Sequence, residues 1–156
     1  MANPEHLQIL KQGVEAWNQW REPRGNISID LGGADLNNTD LINANLSHAD
    51  LTGAIFAKAD LMAANLIQSN LTGASLVEAF LGGANLWTAN LSQADLRGAS
   101  LGAAQLGEAD LRGANLRGAE LNWTNFALAS LRGADQGHLV FGRVVDRAQQ
   151  RSDKAF

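Results

Sequence analysis

The sequence predicts an all-β solenoid, because a five-residue repeat runs without interruption from Ile29 to Gly133. Leucine, or phenylalanine in two cases, occupies the centre of twenty-one consecutive blocks. Alanine usually stands two residues before each centre, and Asp or Asn usually stands directly before it. Neither an α-helix with 3.6 residues per turn nor a flat strand with a period of two would place these leucines on one face. A chain that turns after every block does so, and its stacked turns bury a continuous leucine column.

The consensus A-[DN]-L-x-x resembles the pentapeptide-repeat family over this whole segment. The resemblance implies a right-handed quadrilateral β-helix with four blocks per coil, and therefore about five coils here. The centre of each block and the residue two before it would point inward, and the other three residues would face solvent. Glycines that recur two residues after the centre, such as Gly33 and Gly53, would take positive φ at the corners.

This pattern divides the chain into three segments. Residues 1–28 are predicted to form an N-terminal helical cap and linker, and residues 29–135 the pentapeptide-repeat β-helix. The register fails at Gln136, where leucine is due, so residues 136–156 are expected to form a C-terminal cap and a mobile tail. An apolar cluster in that last segment is expected to close the second end of the β-helix; it comprises Leu139, Val140, Phe141, Val144 and Val145.

Residues 1–22 are predicted to form one α-helix, with Asn3 as N-cap and Pro4 in the first helical position. The helix is expected to end at Pro23 and Gly25. Its apolar face, at helical spacing, carries the predicted cap residues Leu7, Leu10, Val14 and Trp17.

We interpret this helix as a lid, with Trp17 packed over the first coil, because an open β-helix end exposes apolar side chains and unpaired backbone groups. The alternative is an amphipathic helix that binds a membrane or a partner. Its polar face carries Lys11, Glu15 and Arg21 without a basic stripe, which disfavours membrane binding.

Composition limits the classes of function. The net charge is −4 and the pI about 5.2, whereas direct nucleic-acid binders are usually basic. Cysteine is absent, which removes disulfides and thiolate metal sites. No apolar run approaches the roughly 20 residues that a membrane span needs, and the opening residues lack the features of a secretory signal. A cytoplasmic protein without membrane or direct nucleic-acid binding is therefore expected.

Stacked carboxylates and amides are the one feature that suggests chemistry, since residues 20 apart would form ladders such as Asp30 with Asp50. Close carboxylates can bind metals or act as an acid–base pair. The stronger interpretation is that each side chain caps backbone N–H groups at its own turn. His6, His48 and His138 lie far apart, so no catalytic set is apparent. We therefore predict a non-enzymatic protein without cofactors.

Charge is distributed unevenly along the repeats. Residues 29–78 carry six acidic residues against Lys58, whereas residues 79–133 carry four acidic residues against four arginines. Some pentapeptide proteins are similar to B-DNA in width and charge and bind DNA gyrase in its place. The resemblance therefore implies, as an alternative function, a DNA-mimicking modulator of a topoisomerase. The arginines of the second half count against that alternative.

Large apolar residues in outward positions favour a protein–protein interaction module with an unknown partner. Residues 20 apart should stack, so Ile42 and Met62 would share one face, and Ile67 and Trp87 would share the adjacent face. A contiguous apolar patch with a polar rim often marks an interface. The patch comprises Ile42 and Met62, Ile67 and Trp87, with Phe80 as an extension. A homodimer, formed through an incompletely covered end of the shaft, is a further hypothesis.

Overall fold

The computed structural model describes residues 1–24 and 27–137. Helix α1 spans Pro4–Leu10, helix α2 spans Val14–Arg21, and a 3-10 helix spans Glu22–Arg24. Two short parallel strands follow, β1 at Ile29–Asp30 and β2 at Ala49–Asp50. From there onward the chain forms single parallel β-bridges, which continue as far as the pair Asn115–Asp135. The predicted closing cluster at 139–145 lies outside the described residues.

Every bridge joins a residue to the one 20 positions later. Ile29 pairs with Ala49 in the strands, and Asp35 pairs with Ile55 among the single bridges. Four five-residue blocks therefore make one coil, and equivalent residues of successive coils lie directly above one another. This register is the stacking that the resemblance to pentapeptide-repeat proteins implied.

Nearly every block closes with the same hydrogen-bonded turn. In the first one, the Ala34 N–H donates to the Leu31 carbonyl at 3.0 Å, and the second of the two residues between them, Gly33, has φ +68°. A positive φ at that position is the signature of a type II turn. Thirteen of these corner residues are not glycine, and their φ values lie between 53° and 62°. Ladder bonds to the next coil, such as Asn38 N to Ala57 O at 3.0 Å, therefore hold non-glycine residues in a conformation that they rarely adopt.

The core is the predicted column of leucines and alanines. Leu86 and Ala104 are both fully buried, as are nearly all their counterparts. Three alanine positions carry hydroxyls instead, and all three hydroxyls are satisfied; that of Thr39 donates to the Leu36 carbonyl at 2.6 Å. Ser69 donates to the Leu66 carbonyl and Thr124 donates to the Leu101 carbonyl, each at 2.8 Å. These polar side chains are therefore tolerated within the column.

The Asp and Asn residues before each centre cap their own turns. Their side-chain oxygen accepts the N–H two residues later, as from Gly32 to Asp30 at 3.0 Å and from Ile67 to Asn65 at 3.1 Å. This geometry is an Asx turn, which a short side chain with an oxygen acceptor can make. The ladders of stacked carboxylates and amides thus serve the local backbone, as the sequence indicated.

The N-terminal segment forms two helices, so the prediction of one continuous helix was wrong. Helix α1 begins as expected, since the Asn3 side chain accepts the Glu5 N–H at 2.9 Å. The break lies at Gly13, which has φ 112° and ψ 163°. L-residues rarely adopt this conformation, so glycine permits a sharp change of direction rather than merely weakening a helix.

Helix α2 packs against the edge of the first coil. Trp17 is fully buried and its Nε1 donates to the Asn45 carbonyl at 2.8 Å. The Asn18 side chain accepts the Asn45 N–H at 2.8 Å and donates to the Asn43 carbonyl at 3.0 Å. Edge groups that would otherwise lack β-sheet partners are thereby satisfied on this side of the coil.

Helix α1 and its N-cap serve a second side of the same coil. The Asn3 N–H donates to the Asp30 carbonyl at 3.0 Å, and the Asp30 N–H donates to Nδ1 of His6 at 3.1 Å. His6 is buried, and its ring lies 5.4 Å from that of Trp20. This histidine therefore has a structural position at the edge of the β-helix.

Arg21 is buried, which contradicts its expected place on the polar face of the helix. Only 2% of its surface is exposed, and its Nη2 donates to the Ser47 carbonyl at 2.8 Å. Burial lowers the pKa of the Arg21 guanidinium from its ordinary value. Arg21 stands four residues after Trp17 within α2 and therefore on the same helix face, so it was its charge, not the helical spacing, that led to the wrong assignment.

Candidate interaction face

One side of the β-helix carries two stacked columns of outward residues, which we call the amide face. Its first column holds the residues before the centres Leu46, Leu66, Leu86, Leu106 and Phe126. Successive members form parallel bridges, and the Nδ2 of Asn125 donates to Gln105 Oε1 at 3.1 Å. The column consists of Asn45, Asn65, Asn85, Gln105 and Asn125.

The second column holds the residues after the same centres, and none of the ten residues of the amide face is charged. Ser47 at its start is buried beside Arg21, so the free part of the face begins in the second coil. Large residues come first and small residues follow. The column consists of Ser47, Ile67, Trp87, Gly107 and Ala127.

The side chain of Trp87 points along the surface of the rod, parallel to its axis, and covers Gly107 of the next coil. A Cβ added at Gly107 would stand 2.3 Å from Cζ3 and 2.5 Å from Cε3 of the indole. Gly107 is buried beneath the ring, whereas Trp87 keeps 39% of its surface exposed. The absence of a side chain at 107 is therefore what lets the indole lie on the face.

Gly107→Ala is expected to displace the indole of Trp87, because the added methyl would occupy the space of the ring. Acrylamide quenching of tryptophan fluorescence should increase, with a change in unfolding free energy of less than about 1 kcal/mol, because the position lies outside the leucine column. Gly102→Ala is the matched control, since a Cβ there meets nothing closer than 3.7 Å. Equal quenching of the two variants would contradict this placement of Trp87.

The remaining residues of the predicted patch lie on the adjacent face, across the corner formed by Ala63 and Gly83. Met62 is 42% exposed and Phe80 is 49% exposed, whereas Ile42 is half-buried. On the amide face itself, Ile67 is half-buried as well. The patch thus spans two faces, and its action as one surface stays a prediction.

Two large exposed side chains were missed by the sequence-based choice of a patch. Trp123 is 56% exposed and Leu128 is 69% exposed, and both occupy corner positions with positive φ on either side of the amide face. Each belongs to a column of corner residues, 20 positions apart, whose other members are small or polar. The repeat register alone would have identified them as outward.

Charged residues are concentrated on the other two sides, where several form ion pairs. Arg97 binds Asp95 through Nη2 at 2.7 Å, and the corresponding arginine of another block, Arg112, binds Asp110. These side-chain hydrogen bonds hold the pKa of both carboxyls below the ordinary value. Arg117 pairs with Asp135 at 2.9 Å. The arginines of residues 79–133 are therefore largely neutralised within the chain.

Within residues 1–24 and 27–137, no group of three or more His, Asp or Glu side chains gathers into a set suited to a metal ion. In the same part of the chain, neither helix is long and apolar enough to cross a membrane.

The family model for pentapeptide repeats matches residues 29–68, 64–102 and 104–135. The chain belongs to the pentapeptide repeat family. Solved structures of such proteins from cyanobacteria are similar to it. Rfr23 from Cyanothece 51142 is 25% identical with a TM-score of 0.58, and the match covers 80% of this chain and 97% of that one. Pentapeptide repeat proteins form right-handed β-helices, and the 20-residue register of this one agrees with that architecture.

Two other similar solved structures are of proteins with a stated biological role. HetL from Nostoc sp. strain PCC 7120, involved in heterocyst differentiation regulation, is 32% identical, with 72% of this chain and 69% of that one covered and a TM-score of 0.42. QnrB1, a plasmid-mediated fluoroquinolone resistance protein, is 22% identical, with coverages of 72% and 76% and a TM-score of 0.28. No curated protein matches the sequence.

Proposed function

We propose that this pentapeptide repeat protein is a non-enzymatic, cytoplasmic interaction module that binds a protein partner through its amide face. The observation that carries the proposal is an uncharged face with the half-exposed indole of Trp87 at its middle. Cores of protein interfaces are depleted in charge and enriched in aromatic residues. Tryptophan is also the residue type that most often dominates binding energy.

The neighbouring apolar residues extend this surface around one corner. Met62 and Phe80 lie on the adjacent face, and Ala63 and Gly83 keep the corner between the faces low. A partner that reaches over this corner would contact both faces at once. Ile42 and Ile67, each half-buried, would form the edge of the contact toward the N-terminal end.

The capping of the β-helix belongs to the same proposal. We propose that about five coils form the rod and that α1 and α2 cover its first coil. Leu10 and Trp17 are buried in the same cluster as the leucine column, with Leu7 and Val14 packed against it. A covered first edge would leave the sides of the rod, rather than that end, as the surfaces available to partners.

A DNA-mimicking modulator of DNA gyrase is the second candidate. Stacked carboxylate pairs in the first two coils favour it, namely Asp30 with Asp50 and Asp40 with Asp60. The ion-paired arginines of the later coils weigh against a continuous acidic surface. The likeness to QnrB1 adds no argument at its TM-score. Dose-dependent inhibition of DNA supercoiling by purified gyrase would place this candidate first.

The test of the interaction module is a double variant, Trp87→Ser with Ile67→Thr. Partner capture from a lysate of the native host should fall at least tenfold, because loss of a hot-spot residue costs about 2 kcal/mol or more. The melting temperature should change little, since both side chains point outward.

A second double variant, Ile55→Ser with Val77→Thr, is the matched control. It removes apolar surface from a different side of the rod, where Ile55 is 38% exposed and Val77 is half-buried. Capture should persist with this control. If the amide-face variant captures the same partner as efficiently as the control does, the amide face is not the binding site.

A further inference from the structure

The amide face has an ordered surface relief along the rod. In its second column, Ile67 and Trp87 of the second and third coils precede Gly107 and Ala127 of the fourth and fifth. The corner beside the first column shows the reverse order. There Ala63 and Gly83 come first, then Ala103, and Trp123 comes last with 56% of its surface exposed.

This relief is complementary to itself when a second copy lies antiparallel across the face. A two-fold axis between the third and fourth coils would set Ile67 of one copy opposite Ala127 of the other. The same operation sets Trp123 opposite Ala63. Because Trp87 extends from the third coil over Gly107 of the fourth, the two indoles would meet at the axis itself, where offset stacking is favourable.

The polar column suits the same arrangement. Antiparallel packing sets the amide column against the amide column, with Asn65 opposite Asn125 and Asn85 opposite Gln105. Amides both donate and accept hydrogen bonds, so this column can pair with itself, whereas a carboxylate column would repel its copy. Parallel packing would instead set amides against Ile67 and Trp87 and leave polar groups unpaired.

The spacing of the coils also favours a second solenoid of the same kind as the partner. Successive coils rise by about 4.8 Å, the separation of hydrogen-bonded strands, so contacts between two copies stay in register over the whole face. An extended peptide repeats each side about every 6.6 Å and falls out of register within two coils. The free face of four coils is only about 20 Å long, well short of a standard interface, so the dimer is weak and reversible.

We propose that the amide face pairs with a second copy of this chain, antiparallel, around a two-fold axis at Trp87. This inference rests on the proposed function, because it names the partner of the same face. It assigns Trp123 and Leu128 to the rim of the contact, where their exposure on a corner has a use. It also explains why the face carries no charged residue in its described coils.

Sedimentation velocity over a concentration series tests the pairing. The full chain should be monomeric near 1 μM and increasingly dimeric toward about 500 μM, the range of a weak complex. Ala127→Glu should abolish the concentration dependence, because it places a charge opposite Ile67 of the second copy. Ala57→Glu is the matched control, since Ala57 occupies the same outward slot on another side, and it should dimerise like the original chain.

Cross-linking fixes the orientation, and the cysteine-free sequence makes it clean. A mixture of Ile67→Cys and Ala127→Cys variants, treated with a bis-maleimide of about 10 Å, the separation of face-packed sheets, should give a mixed dimer. Ile67→Cys alone should give none. A monomer at every concentration, or efficient cross-linking of Ile67→Cys to itself, would overturn the inference. If the chain stays monomeric while the amide-face variant still loses a host partner, the proposed function stands and the inference fails.

Discussion

Leu86→Ala is expected to lower the free energy of unfolding by about 2–5 kcal/mol, the usual effect of emptying a buried leucine site. Leu86 is fully buried in the middle of the leucine column. Its neighbours above and below are held by ladder bonds, such as Leu86 N to Gln105 O at 2.8 Å, and cannot collapse into the cavity. Urea unfolding followed by circular dichroism measures the change.

The same column should also resist enlargement. Ala104→Leu is expected to cost about 1–3 kcal/mol, because Ala104 is fully buried in the packed column and a larger side chain would overfill it. Gln68→Ala is the control, since residue 68 is an exposed corner and alanine already occupies the corners at 63 and 103. If all three variants unfolded at one urea concentration, the inward assignment of Leu86 and Ala104 would be wrong.

Removal of residues 1–24 is expected to make the protein aggregate, because it uncovers the edge of the first coil. The Asn45 carbonyl and N–H would lose Trp17 and Asn18, and the backbone of Asp30 would lose Asn3 and His6. Exposed sheet edges next to apolar surface pair readily with other chains. Light scattering during purification and heating would report the change.

A point variant distinguishes the effect of losing the contact with the edge of the first coil from the effect of losing the whole segment. Trp17→Ala should destabilise the protein by about 3–5 kcal/mol, as expected for a buried aromatic. Trp17→Phe should cost less, because it loses the indole hydrogen bond to Asn45 but keeps most of the apolar contact. Gln8→Ala, at an exposed site on α1, should have no effect. A soluble, equally stable monomer after deletion of 1–24 would refute the capping role.

The repeat segment was predictable in detail because a single constraint acts on every block. A period of five fits only a chain that turns after each block. A turn at every block assigns all inward and outward positions together. The structure accordingly buries the leucine column, stacks residues 20 apart and gives the Asp and Asn side chains their capping role. The outward patch around Met62 and Trp87 followed from the same register.

What the repeat pattern did not contain, the tertiary structure decided. The sequence by itself determined the solenoid and its core, because these follow from local periodicity, and the four faces followed from the resemblance to pentapeptide-repeat proteins. The burial of Arg21 beside Ser47 and the docking of Trp17 on Asn45 depend on contacts between residues 26 and 28 positions apart. The direction of the Trp87 side chain over Gly107 was likewise set by the coil above it. Non-repeating segments and side-chain directions are selected by the surface on which they pack, and that surface exists only once the coils have stacked.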